Sequence, residues 1–90
     1  MYKLSNTNQF KKDFKLLRKR NYDLSKLEIV LDLLVKNEIL PEKYKEHPLK
    51  NSKEKYIDCH ILPDWLLIFK RNNTEKTIIL VRTGTHSDLF

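Results

Sequence analysis

From Asn6 to Arg20 the chain reads NTNQFKKDFKLLRKR, with Phe10, Phe14 and Leu17 separated by Lys11, Lys12, Lys15, Arg18 and Lys19. Apolar residues at i, i+4 and i+7 fall on one stripe of a helix and leave the cations on the rest of its surface. The spacing predicts a first helix over about 7–20, with Asn6 or Thr7 as its N-cap. The next stretch, DLSKLEIVLDLLVK, repeats the pattern with Leu24, Leu27, Val30, Leu31 and Leu34. Asp23 caps this second helix, which should cover about 24–36. The short link Asn21–Asp23 then makes the two an antiparallel hairpin.

Beyond Pro41 the helical period is lost. PEKYKEHPLKNSKEK is polar and irregular and reads as a loop of about 15 residues. KYIDCHI, WLLIFKR and KTIILVRT follow as three strands rich in β-branched and aromatic residues. Pro63-Asp64 turns the first into the second, and Asn72-Asn73 the second into the third. Tyr2–Ser5 could join as a fourth strand. The expected class is α+β, with two N-terminal helices packed on one face of a small, mainly antiparallel sheet.

Alternation assigns faces. Ile57, Cys59 and Ile61 should look toward the helices, and Tyr56, Asp58 and His60 toward the uncovered side. Trp65 shares its face with Leu67 and Phe69, so it reads equally as core or as a stacking platform.

Ninety residues make one domain with a modest core, and a single Cys cannot form an internal bridge. A cytoplasmic protein is expected, without a signal peptide or a membrane span. The net charge of +6 is uneven. Met1–Tyr22 carries +6, Asp23–Glu46 −2 and His47–Phe90 +2. A basic first helix suits a polyanion or an acidic protein, or is simply solvated.

All three histidines, His47, His60 and His86, lie outside the helices, in company with Asp64 and Arg82. Imidazoles titrate nearest neutrality, so such a set suits general acid–base work. RNA cleavage needs a base for the 2′-OH, an acid for the 5′-oxygen and a cation for the charge on phosphorus. Trp65 and the terminal Phe90 could stack a base. Each residue also has a plainer reading. His47 could be a solvated loop residue, His60 a cross-strand partner and Asp64 a turn former. Arg82 could pair with a structural carboxylate, and His86 could be a tail residue. No H-x₂₋₄-H or C-x₂-C pair suggests zinc, and no metal or other cofactor is expected.

The strings YKEHPLKNS, YIDCHILPDWLLIFK and RTGTHSDLF, in this order after two helices, resemble the YafQ branch of the RelE/ParE superfamily of toxins, nearly end to end. The resemblance implies the RelE/ParE-like microbial RNase fold. It also implies a ribosome-dependent endoribonuclease of a type II toxin–antitoxin module, which cuts mRNA in the ribosomal A site without a metal. Carried over by position, the catalytic set is His47, His60, Asp64, Arg82 and His86, and Trp65, Phe90 and Lys50 would bind substrate. His86 is expected as the acid, with His47 or His60 plus Asp64 on the base side. The implied partners are the ribosome, mRNA and an acidic, DinJ/RelB-like ribbon-helix-helix antitoxin, with operator DNA met only through that complex. One departure is Ile57, where relatives usually carry Arg. Two other functions fit the same scaffold: a non-enzymatic, ParE-like inhibitor of DNA gyrase, and a plain basic RNA-binding module.

Overall fold

A computed structural model describes residues 1–50 and 53–90. The loop and the string YKEHPLKNS that the sequence singles out therefore lie outside the described residues at Asn51 and Ser52. The elements run β1 (Lys3–Asn6), α1 (Asn8–Lys19), α2 (Leu24–Val35), a 3-10 turn (Glu42–Tyr44), β2 (His47–Pro48), β3 (Ile57–Leu62), β4 (Trp65–Asn72), β5 (Thr77–Gly84) and α3 (His86–Leu89). The five strands lie in the order β1-β5-β4-β3-β2. Only β1 runs parallel to its neighbour β5; the remaining pairs are antiparallel.

Local chemistry sets the helix ends. Thr7, rather than Asn6, caps α1: its hydroxyl accepts the Phe10 N–H at 3.0 Å. The same hydroxyl donates to the Val81 carbonyl at 2.7 Å, so the cap also ties α1 to β5. The Asp23 carboxylate accepts the Ser25 N–H at 3.1 Å at the start of α2. Asn21 and Asn37, just past the two helices, take left-handed φ values of 61° and 55°, which Asn tolerates better than most residues.

Both helices bury their stripes against one face of the sheet. Phe10 and Leu17 from α1 and Leu27, Val30 and Leu34 from α2 join Cys59, Ile61, Trp65, Leu67, Phe69, Ile78 and Leu80 in one core. Each fully buried side chain of this size contributes about 1.5–3 kcal/mol. Emptying the Leu34 site with Leu34→Ala should cost about 2–5 kcal/mol, measured by chemical denaturation. Ile57 packs on the core from a half-buried position, on the side that alternation gave it. Among the described residues, no helix is long and apolar enough to cross a membrane.

Three sequence expectations need correction. The irregular loop after Pro41 contains a 3-10 turn, whose Tyr44 is buried, and β2, which pairs His47 with Asp58 and Pro48 with Ile57. A two-residue strand with a proline has no period to read, so only its pairing reveals it. The chain end is a short helix, not a tail. The turn between β4 and β5 occupies 73–76 rather than Asn72-Asn73 alone: Asn72 closes β4, and its side chain accepts the Glu75 N–H at 3.0 Å to open the turn.

Candidate active site

Cross-strand register assembles the site. Directly opposed residues of an antiparallel sheet share a face. One such row runs His47, Asp58, Ile68, Arg82, and the next runs His60, Leu66, Gly84. The two rows stand on the face away from the helices, two residues apart along each strand. His86 begins α3 immediately beyond Gly84. Residues from four separate stretches of sequence are thereby brought together.

The three imidazoles form a file. Ring centres of His47 and His60 are 6.4 Å apart, those of His60 and His86 5.9 Å, and those of His86 and Phe90 6.2 Å. Each histidine has its Nδ1 engaged. In His60 it faces the Pro63 carbonyl at 3.1 Å. A carbonyl only accepts, so Nδ1 carries the proton and the neutral ring presents a bare Nε2. In His86, Nδ1 donates to Asp64 Oδ1 at 2.9 Å, while the His86 backbone N–H donates to the same oxygen at 3.2 Å. These two bonds hold the Asp64 carboxyl below its ordinary pKa. A carboxylate on Nδ1 keeps a proton there, orients the ring and leaves Nε2 for chemistry. His47 differs: Nδ1 faces the Lys45 carbonyl at 2.8 Å and Nε2 lies 3.1 Å from the buried Asp58 carboxylate. That Asp58 oxygen is buried and makes no hydrogen bond among the described residues, so at Nε2 the contact is a close approach and only Nδ1 is hydrogen-bonded.

Arg82 is held from α1. Its Nε and Nη2 donate to the two oxygens of Asp13 at 3.1 and 3.0 Å. The Asp13 carboxylate also accepts the Thr83 N–H at 3.2 Å. This second bond has a simple cause. β1 pairs with β5 only as far as Leu80, which leaves the β5 edge beyond it to be satisfied by side chains. The Asp13 hydrogen bonds raise the Arg82 pKa still further, so the guanidinium is a permanent cation.

A second ion pair fixes α3. Arg20, at the C-cap of α1, donates through Nη1 and Nη2 to Asp88 at 2.8 and 3.2 Å. Asp88 and Thr85 complete a reciprocal capping box, and Asp88 lies well below the usual carboxylate range, chiefly because of Arg20. Gly84 permits this fold-back. Its φ is +154°, and a Cβ there would lie 3.0 Å from Asp88 Oδ2.

The structure brings His47, His60, Asp64, Arg82 and His86 to one region, but it rearranges their partners. Asp64 stands with His86, not on the side of His47 or His60. The carboxylate beside His47 is Asp58, which is buried and not open to solvent. Trp65 is overturned as a stacking platform. Its ring is 1% exposed, its indole N–H donates to the Thr83 hydroxyl at 2.9 Å, and Tyr22 meets it edge-on. Phe90 remains 72% exposed beside His86. Lys50 is exposed just beyond β2. Burial pushes the Cys59 thiol up to about 12, which removes it as a nucleophile. Among the described residues, no group of three or more His, Cys, Asp or Glu is disposed to hold a metal ion.

Sequence reasoning missed Asp13, Arg20 and Asp88. For Asp88 a signal existed: Thr85-x-x-Asp88 has the spacing of a capping box. Asp13 and Arg20 look like ordinary members of a charged helix, and their partners lie 69 and 68 residues away.

Comparison with known proteins agrees along the whole chain. Residues 2–90 match the family described as bacterial toxin of type II toxin-antitoxin system, YafQ. The mRNA interferase toxin YafQ of Escherichia coli (strain B / BL21-DE3) is 48% identical over 83 residues, covering 91% of this chain and 88% of the relative. A metal-bound toxin from Helicobacter pylori superposes with a TM-score of 0.95 at 40% identity, with all of both chains covered. A chain of the E. coli DinJ-YafQ complex gives a TM-score of 0.91 at 43% identity, covering 100% of this chain and 99% of that one.

Proposed function

Because the chain belongs to the YafQ family of bacterial toxins of type II toxin–antitoxin systems, we propose that it is an mRNA interferase that cuts mRNA in the ribosomal A site with its own side chains as acid and base. The observation that carries the reading is the pair of imidazoles with engaged Nδ1 atoms, ring centres 5.9 Å apart, near a permanent cation.

In this mechanism His60 Nε2 takes the proton from a ribose 2′-OH. The freed oxygen attacks the adjacent phosphorus and forms a 2′,3′-cyclic phosphate. The P–O5′ bond breaks, and His86 Nε2–H delivers a proton to the departing 5′-oxygen. Asp64, accepting from Nδ1–H, orients the His86 ring and leaves its Nε2 for the leaving oxygen. Arg82, with Nε and Nη2 taken by Asp13, has Nη1 left for a phosphate oxygen. His47, with Nδ1 held by the Lys45 carbonyl and Nε2 facing the buried Asp58, stacks beside His60 and flanks it rather than exchanging protons itself. No step calls for a metal.

The E. coli relative was solved in complex with DinJ. The counterpart for this chain is an acidic ribbon-helix-helix antitoxin, drawn by the net charge of +6 and covering the basic face of α1 and the open sheet face. Operator DNA is reached only through that complex, and the setting is the cytoplasm, where mRNA and ribosomes meet. The test is primer extension on an mRNA translated with purified components. The toxin should give discrete cuts only when ribosomes are present, and His86→Ala should abolish them. Equal cutting of ribosome-free RNA, or parental cutting by a folded His86→Ala variant, would refute the reading.

A further inference from the structure

We infer that the groove beside His60, between α2, the 3-10 turn and the end of β3, holds the mRNA nucleotides on the 5′ side of the scissile phosphate. The inference rests on the endoribonuclease reading and gives it a strand direction.

The groove encloses about 410 Å³, and His60 forms part of its wall. Three lysines line it, Lys26 from α2 and Lys43 and Lys45 from the 3-10 turn and its cap, and no acidic side chain does. None of the three belongs to an ion pair among the described residues. Two of them are built in. Lys43 lies over the ring of the buried Tyr44, 5.1 Å from its centre. Lys45 holds a left-handed φ of 49°, and its carbonyl is the acceptor for His47 Nδ1. Ile29 and Leu62, 55% and 40% exposed, supply an apolar wall.

An apolar wall with cations and no anion suits a strand whose sugars and bases are apolar-faced and whose linkages are anionic. The order of groups gives the direction. If His60 takes the 2′-OH proton, it sits against the nucleotide on the 5′ side of the cut. His86 and Phe90, at the far end of the file, sit against the 3′ leaving nucleotide. His60 lines the groove and neither His86 nor Phe90 does, which assigns the groove to the 5′ side. The shared wall favours RNA over an acidic segment of a protein partner.

The experiment uses bacterial ribosomes programmed with an mRNA carrying 4-thiouridine at the nucleotide 5′ or 3′ of the cut. Full-length toxin with His86→Ala is added and irradiated, and crosslinked peptides are mapped by mass spectrometry. The 5′ probe should mark peptides containing residues 26–29, 43–45 or 60–63, and the 3′ probe the peptide containing 86–90. In parallel, the combined Lys26→Ala, Lys43→Ala and Lys45→Ala variant should need about tenfold more toxin for half-maximal cutting, with the saturating rate nearly unchanged. A 5′ probe that marks 86–90, or that leaves the groove unmarked, overturns the inference even if the lysine variant misfolds. A triple variant that cuts like the parent but escapes the antitoxin overturns it too, making the groove a protein-docking site. A parent toxin that cuts no mRNA would fail the endoribonuclease reading instead.

Discussion

An imidazole with one nitrogen engaged has only the other left for chemistry, and in His60 and His86 the engaged atom is Nδ1. A carbonyl on one ring and a carboxylate on the other underlie the roles proposed above, His60 as base and His86 as acid. The separation is testable with a substrate whose 5′ leaving oxygen is replaced by sulfur, because a thiolate departs without a proton. His60→Ala and His86→Ala should each cost about 10²–10⁴-fold in cleavage of ordinary RNA. The sulfur substrate should restore His86→Ala and leave His60→Ala slow; rescue of the His60 variant alone would exchange the roles. The two aromatic candidates separate as cleanly. Trp65→Ala should lose about 3–5 kcal/mol of stability, because it empties a packed site and removes the indole hydrogen bond to Thr83. Phe90→Ala should melt like the parent and cut roughly ten- to a hundredfold more slowly, the loss of about one base–aromatic contact. A drop in melting temperature for Phe90→Ala would place that ring in packing. Alternation along β3 made His60 legible as an outward residue. It could not separate Trp65 from Phe90, since type and period are silent on whether a ring is covered.

At the scale of elements, α3 and its anchor to α1 determine where His86 sits. The helix has four residues, too few to be stable alone. Its capping box and the Arg20–Asp88 pair compensate, and the pair lies outside the main core. Arg20→Ala should therefore lower the cleavage rate while leaving the main unfolding transition almost unmoved, and Arg20→Lys should rescue only in part, lacking the two-pronged geometry. If Arg20→Ala cuts like the parent, the clamp has no bearing on the acid. The pH response has a definite sign. Asp88 and Asp64 are held below their usual values, so what they contribute is fully present above about pH 4–5 and is lost as pH falls through their depressed values. The Thr85 amide donates to Asp88 Oδ2 at 3.0 Å and reports on it. Its NMR shift should stay level from pH 7 to 5 and move with a midpoint below 3.8, the ordinary value. A midpoint at or above that value would contradict the clamp. The long elements were readable because α1, α2 and β3 carry a sustained period and β4 and β5 are runs rich in β-branched and aromatic residues. β2 and α3 were not, since two and four residues hold no period, and α3 offers only the local capping-box spacing of Thr85 and Asp88.

For the whole molecule the governing quantity is the placement of charge. The first 22 residues carry +6, and Lys11, Lys12, Lys15 and Lys19 are exposed on α1 without an ion pair among the described residues. The sequence made this face visible, because a helical period with one apolar stripe leaves its cations nowhere else to go. It could not show that α1 also serves the site from its other positions, Asp13 holding Arg82 and Arg20 holding Asp88. The helix thus has two separable duties, and a charge variant confined to the exposed lysines tests one without the other. Replacing these four lysines by Gln leaves Asp13, Arg20 and the buried stripe in place. Such a field acts on encounter more than on the finished contact. The association rate with the cognate antitoxin should fall about 10–100-fold at low salt and approach the parent's as salt screens the field. The dissociation rate should change by far less. Stopped-flow mixing across a salt series separates the two rates. An association rate equal to the parent's at low salt would mean that the basic face plays no part in capture. A dissociation rate that rises as much as association falls would mean that the lysines make close contacts in the complex instead of steering it from a distance.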